Sequence, residues 1–193
     1  PSSEIKMHMR VYEKRPDVGA VVHAHPTFAT SFAIAGIPLT QPIMPEAVIA
    51  LGCVPIAKYC TPSTMEIPYA VEEYLPYFDQ VLLESHGALT WGPDLLNAYY
   101  KMESLEFYAE LLYKSRQLGG PKEFTPDQVE RLYEIRRQMG IPGKHPANLC
   151  PNAKAGKPSC HSCGGSCTCG GEGKADADLV SSITKKVMEQ LGL

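Results

Sequence analysis

The hydrophobic pattern at the start of the chain predicts one amphipathic helix. Ser2 or Ser3 is suited to cap this helix, and Pro16 stops it after about Lys14. The residues expected on its inward face are Ile5, Met9 and Tyr12, with Met7 and Val11 flanking them.

Short apolar and β-branched runs predict the strands. Residues 20–25 form such a run, which Pro26 closes, as is typical of a buried strand. Residues 52–57 predict another strand, and residues 80–91 predict a pair of strands joined by a turn at His86-Gly87.

Helical patterns separate and follow these runs. They cover residues 27–35, 64–74, 94–117 and 125–140, and the first of them ends at Gly36. The stripe expected to face inward on the longest is Leu95, Ala98, Tyr99, Met102, Leu105, Ala109 and Leu112. Residues 1–140 are therefore expected to form one domain.

The pattern changes abruptly after this domain. Residues 141–175 are rich in Gly, Pro, Ser, Lys and Cys and hold almost no large apolar residue, which predicts a linker. Residues 176–193 then predict a short amphipathic helix capped by Asp178. Its apolar stripe comprises Leu179, Val180, Ile183, Val187 and Leu191.

Composition and charge narrow the class of protein. The 193 residues are 44% hydrophobic, which suffices for a core, and the formal net charge of -3 argues against a nucleic-acid partner. No apolar run reaches about 18 residues, so no membrane span is expected. The first residues do not have the pattern of a signal peptide. Five of the seven Cys lie in the Gly-rich stretch, and a reducing cytoplasm is the simpler interpretation.

Three histidines are candidates for a metal site. His23 and His25 are two residues apart on a predicted strand, so both side chains point to the same face. His86 stands on the Ser-His-Gly turn and can close the site, leaving the open position of a catalytic zinc. Packed or solvated histidines remain the alternative.

Four residues near the start have both an ordinary and a functional interpretation. Glu4 at a helix N-terminus is favoured by the helix dipole in any protein, but it can also act as an acid/base beside a metal. Ser2 and Ser3 are caps by default, and their hydroxyl and N–H groups also suit a phosphate. His8 fits a surface residue or a hydrogen-bonding neighbour of the site better than a ligand.

These residues, taken in order, resemble the class II aldolase and adducin head-domain family, and within it the fuculose-phosphate aldolases. The motifs are Pro1-Ser2-Ser3-Glu4, Arg15-Pro16-Asp17, the strand ending in His23-Ala24-His25, Gly52-Cys53-Val54-Pro55 and Ser85-His86-Gly87-Ala88. The resemblance covers residues 1–140. It implies a three-layer α/β/α fold with a mostly antiparallel central sheet, and a homotetramer with active sites between subunits.

The resemblance also implies a role for each candidate residue. His23, His25 and His86 match the zinc ligands, Glu4 matches the catalytic acid/base, and Ser2 and Ser3 match part of the phosphate site. The implied reaction is zinc-dependent cleavage of L-fuculose or L-rhamnulose 1-phosphate to dihydroxyacetone phosphate and lactaldehyde.

Two departures from the family pattern leave other functions open. The family's N-terminal portion has no counterpart before Pro1, and Met139-Gly140 stands where these aldolases have a tyrosine. A catalytically impaired binding or scaffold subunit is therefore an alternative, as is a 4-epimerase or dehydratase of the family. Epimerases have Asp in place of Glu4, which favours an aldolase, and adducin heads lack the three histidines.

The C-terminal segment resembles an encapsulation peptide, which directs enzymes into bacterial microcompartments by packing on shell proteins. This resemblance predicts a bacterial cytoplasmic enzyme in a microcompartment lumen; docking on its own tetramer is the alternative. A second metal or redox cluster is a further candidate, formed by Cys160, Cys163, Cys167 and Cys169. A flexible, redox-sensitive linker is the alternative there.

Overall fold

The structure, a computed structural model, describes residues 2–146. The predicted Cys cluster and the C-terminal apolar stripe both lie outside these residues. Among the described helices, none is long and apolar enough to cross a membrane.

A four-stranded mixed sheet forms the centre of the domain. Its strands are β1 (Ala20–Ala24), β2 (Ile56–Ala57), β3 (Gln80–Leu83) and β4 (Gly87–Gly92), in the spatial order β1-β4-β3-β2. β4 pairs antiparallel with both β1 and β3, whereas β2 pairs parallel with β3. The sheet is thus mostly antiparallel, as expected.

Six helices surround the sheet in the described part of the chain. They are α1 (Ile5–Lys14), α2 (Thr27–Ile34), α3 (Pro45–Ala50), α4 (Glu66–Glu72), α5 (Leu95–Gln117) and α6 (Pro126–Gln138). Helices α1 and α4 pack together on one side, and α2, α3 and α5 on the other, with α6 packed on α3.

The central strands bury both of their faces, which accounts for their apolar runs. On β4, Leu89 and Trp91 join the core beside α1 and α4, whereas Ala88 joins the core beneath α5. β3 divides in the same way, with Val81 on the first side and Leu82 on the second. Because successive side chains of a strand point to opposite faces of the sheet, one strand contributes residues to the cores on both sides. The predicted α/β/α fold class is confirmed.

The inward face of α1 was predicted wrongly. Met7 and Val11 are buried, whereas Ile5, Met9 and Tyr12 are 47%, 50% and 38% exposed. Both sets recur with a helical period, so the sequence pattern does not decide which one faces the sheet. The contacts of α1 with α4 and β1 decide it.

Other elements also differ from the expectation. The predicted strand at 52–57 narrows to β2, and Val54 forms only an isolated bridge with Leu39. The sequence prediction missed α3, which is too short for a clear periodicity. On α5, Leu95 and Tyr99 are exposed, contrary to the predicted stripe, while Lys101 and Tyr108 are buried.

A buried ion network joins separate elements. The Asp79 carboxylate is 1% exposed and accepts hydrogen bonds from Arg15 (2.9 Å) and Lys101 (2.8 Å). It also accepts the backbone N–H of Lys144 at 2.9 Å. Because these donors come from the end of α1, from α5 and from beyond α6, one carboxylate links three parts of the domain.

The end of α6 and the residues after it pack against α3. The carbonyls at the end of α3 have no hydrogen-bond partner within that helix. An arginine and a histidine side chain supply the partners instead. Arg136 donates to the carbonyls of Ile49 and Ala50, and His145 Nε2 donates to the Val48 carbonyl at 2.7 Å. Packed residues therefore extend past the boundary expected at residue 140.

Candidate metal centre

His23 lies near the C-terminal end of β1, where the neighbouring strand β4 holds it in place. Its position in β1 lies opposite Leu89 of β4. Since a carbonyl only accepts, the 2.9 Å contact of His23 Nδ1 with the Ala88 carbonyl makes Nδ1 the protonated nitrogen. Nε2 is then left with its lone pair free for a metal.

His25 and His86 complete a cluster with His23. Each pair of ring centroids is 4.9 Å apart, and Nε2 of His25 lies 3.1 Å from Nε2 of His23. One ligand nitrogen from each ring lies within 4.8 Å of the others, so a single ion can contact all three. The structure thus brings His86 to two histidines that lie far from it in the sequence.

The β3–β4 turn is shaped to bring His86 to this place. Ser85 adopts a left-handed conformation with φ 57°, which is uncommon for a residue other than glycine. A Cβ on Gly87 would lie 2.5 Å from Cδ2 of His25 and 2.6 Å from the Ala24 carbonyl oxygen. Glycine is therefore required at position 87, because the His25 ring rests directly on the backbone at the start of β4.

Burial keeps His23 and His86 in the form that binds metals. Desolvation lowers the pKa of His23 to about 4, and repulsion from protonated His86 and His25 adds to it, against the opposing bond to Ala88. Desolvation also lowers the pKa of His86. Both imidazoles are consequently neutral near pH 7, which is the form that ligates a metal.

The donor set fits a zinc ion. Three imidazole nitrogens with a further position left open is the arrangement of catalytic zinc sites. The buried Nδ1 of His86 has no hydrogen-bond partner among residues 2–146. Burying an imidazole nitrogen without a hydrogen bond costs free energy unless a group outside these residues binds to the ring.

Glu4 lies beside this cluster. It is the N-cap residue of α1, and its negative charge favours the charged forms of His8, His23 and His86, which partly offsets the lowering of each pKa by burial. For His8 the larger influence is burial, which lowers its pKa. The Glu4 carboxylate therefore acts electrostatically on two of the three clustered imidazoles, those of His23 and His86.

Ser2 and Ser3 are exposed next to Glu4, and neither caps α1 in the predicted way. Ser2 Oγ accepts the Glu4 N–H at 3.3 Å, and Ser3 Oγ donates to the Glu4 carboxylate at 3.4 Å. The helix itself has no side-chain cap bond because Glu4 takes the N-cap position with a helical backbone. The expectation of a serine cap was wrong.

Two contacts around the histidine segments were not found from the sequence. The Ala88 carbonyl fixes the His23 ring, but a backbone group gives no sequence signal. Glu106 holds the first turn of α2 from α5, and its distance along the chain from His25 hides this contact.

The fold is that of a known class. The chain belongs to the Class II Aldolase and Adducin N-terminal domain family, whose pattern residues 1–113 match. Among its relatives is a 5-deoxy-D-ribulose 1-phosphate aldolase of Bacillus thuringiensis, 32% identical over 134 residues, or 68% of this chain and 62% of that protein.

Other relatives extend the comparison. A solved structure of an L-fuculose 1-phosphate aldolase superposes with a TM-score of 0.66 at 31% identity, covering 71% of this chain and 64% of that one. A 3-oxo-tetronate 4-phosphate decarboxylase of Escherichia coli K12 is 32% identical over 117 residues, or 58% of this chain and 55% of that protein. The chain spans less than two thirds of the length of each of these three relatives.

Proposed function

We propose that the chain supplies the metal centre and the acid/base of a zinc-dependent aldolase acting on a deoxyketose 1-phosphate. The observation that supports this best is the cluster of His23, His25 and His86, with ligand atoms within 4.8 Å of one another and Glu4 at its side. The substrate proposed is L-fuculose or L-rhamnulose 1-phosphate, and the products are dihydroxyacetone phosphate and lactaldehyde.

The proposed role of Glu4 follows from the bond that breaks. When the C3–C4 bond of the ketose cleaves, the C4 hydroxyl gives its proton to the Glu4 carboxylate, C4 leaves as an aldehyde, and the electron pair of the bond stays on C3. Zinc held by the histidines would supply Lewis-acid polarisation of the adjacent carbonyl. Glu4 then delivers a proton to C3, which yields dihydroxyacetone phosphate. Ser2 and Ser3, exposed next to Glu4, are proposed to bind the phosphate.

Metal content and turnover of the purified chain test the proposal. We expect about one zinc per site. We also expect release of dihydroxyacetone phosphate from one of the two deoxyketose phosphates, monitored as NADH oxidation in an assay coupled to glycerol-phosphate dehydrogenase. A chain that holds zinc but releases no dihydroxyacetone phosphate overturns the aldolase assignment. Release of carbon dioxide from 3-oxo-tetronate 4-phosphate would favour the chemistry of the decarboxylase relative.

The Glu4→Gln variant tests the acid/base directly. The amide keeps the size of the side chain but cannot exchange a proton, so we expect the bound zinc to remain and turnover to fall by a factor of roughly 100 or more. Glu13→Gln, on the exposed side of the same helix, is the control and should keep full turnover. Equal turnover in Glu4→Gln and the unmodified chain would remove the assigned role.

For the C-terminal segment we propose docking on microcompartment shell proteins, which would place the enzyme in the lumen. The support is its apolar stripe, Leu179, Val180, Ile183, Val187 and Leu191. Deleting residues 178–193 should abolish co-purification with shells and leave activity in solution unchanged; persistent co-purification would refute the idea. A homotetramer is proposed from the resemblance to the family. A metal or redox role for the Cys cluster is proposed from the close spacing of its four cysteines.

A further inference from the structure

The helix that follows His25 has an unusual N-terminal cap. α2 begins at Thr27, directly after His25-Pro26, and its N-cap residue is Pro26, whose ring offers no hydrogen-bonding group. The first N–H groups of a helix need partners, which an N-cap side chain usually supplies. Here the partner comes from another helix.

That partner is the Glu106 carboxylate of α5. One of its oxygens accepts the Phe28 N–H at 2.8 Å, and the other accepts the Ala29 N–H at 2.8 Å. A charged acceptor at a helix N-terminus is also favoured by the helix dipole. Glu106 therefore fixes the first turn of α2 against α5 with two bonds.

The location of this contact matters because β1 supports His25 less than it supports His23. His23 lies within β1, and its ring is held by the Ala88 carbonyl. His25 lies one residue past the end of β1, so its backbone is positioned by the strand on one side and by the start of α2 on the other. The ring rests on the backbone of Gly87, which leaves little room for displacement.

We infer that Glu106 is a positioning residue of the metal centre, which sets the place of His25 by clamping the first turn of α2 to α5. This inference rests on the proposed metal site. Glu106 is not one of the three candidate ligands; it acts through the backbone of residues 25–29. Supporting residues outside the ligand set typically change metal affinity by about 10–100-fold when they are substituted.

The test compares Glu106→Gln with the unmodified full-length chain. The amide keeps one acceptor oxygen but turns an NH₂ group toward the second N–H, so one bond and the charge are lost. We expect the affinity for Co²⁺ and Zn²⁺, measured against a chromophoric chelator, to fall roughly tenfold or more. At saturating Co²⁺ the visible d–d bands should shift, because the position of His25 relative to the ion changes.

Glu103→Gln is the matched control, since Glu103 is exposed on the same helix. It should match the unmodified chain in affinity and spectrum. If Glu106→Gln does not fold, Glu106→Asp, which keeps the charge and shortens the reach, takes its place in the same measurements.

The outcomes separate this inference from the proposed function. A lower melting temperature in Glu106→Gln with unchanged metal affinity and Co²⁺ spectrum would mean that Glu106 only stabilises the fold, and would overturn the inference. Failure of the unmodified chain to bind either ion would instead overturn the metal site itself.

Discussion

Removing the Asp79 carboxylate should destabilise the domain more than removal of a surface charge. Asp79→Ala leaves Lys101, which is 8% exposed, without its carboxylate partner, and deprives Arg15, which is 5% exposed, of one of two. The backbone N–H of Lys144 also loses its acceptor. A buried charge left without its partner typically costs about 3–5 kcal/mol. We therefore expect a loss of about 3–5 kcal/mol in the free energy of unfolding.

Asp17→Ala is the matched control for this substitution. Asp17 pairs with the same Arg15 side chain, but its own side chain is 53% exposed, so solvent screens the pair and can replace it. We expect a loss of at most about 1 kcal/mol from this change.

Urea denaturation followed by circular dichroism measures both losses. The slope of the unfolding free energy against urea should stay the same in all three proteins, because the surface exposed on unfolding does not change. If Asp79→Ala loses no more than Asp17→Ala, the network contributes nothing beyond an ordinary surface pair, and the reasoning from burial is wrong. The double variant Asp79→Ala/Lys101→Met should recover part of the loss, because it removes a buried unpaired charge.

Two further predictions concern the metal centre and the acid stability of the domain. Gly87→Ala places a Cβ 2.5 Å from Cδ2 of His25, so zinc affinity measured by chelator competition should fall roughly tenfold or more; unchanged affinity would show that the ring can move without cost. Burial, together with the neighbouring Arg136 charge, lowers the pKa of His145 to about 4 from its ordinary 6.5. The unfolded chain therefore binds more protons than the folded one between these values, so His145 makes stability fall as the pH falls from about 6.5 to 4. His145→Gln should flatten this decline in urea midpoints relative to the unmodified chain, and parallel curves would contradict it.

The element types follow largely from the sequence because local chemistry specifies them. The apolar run before Pro26 forms β1, and Thr125 with Gln128 forms the capping box that begins α6. Short elements were predicted less well: α3 was missed, and β2 was predicted too long. A strand of two residues depends on its neighbour for its definition, and no local pattern marks its ends.

The groups available for chemistry at the site follow from the sequence: three imidazoles, one carboxylate, and a glycine after His86. The His-x-His spacing on a strand places the two histidine rings on the same face of the sheet, because side chains alternate between the faces with a period of two. Three contacts depend on the tertiary structure. His86 lies beside the other two histidines, the Ala88 carbonyl leaves Nε2 of His23 as the nitrogen with a free lone pair, and Glu106 accepts hydrogen bonds from the segment after His25. The tertiary structure also decided that Met7 and Val11, not Ile5 and Met9, face the sheet. The physical reason is that these contacts join residues distant in the chain, and only packing of the helices on the sheet sets their distances.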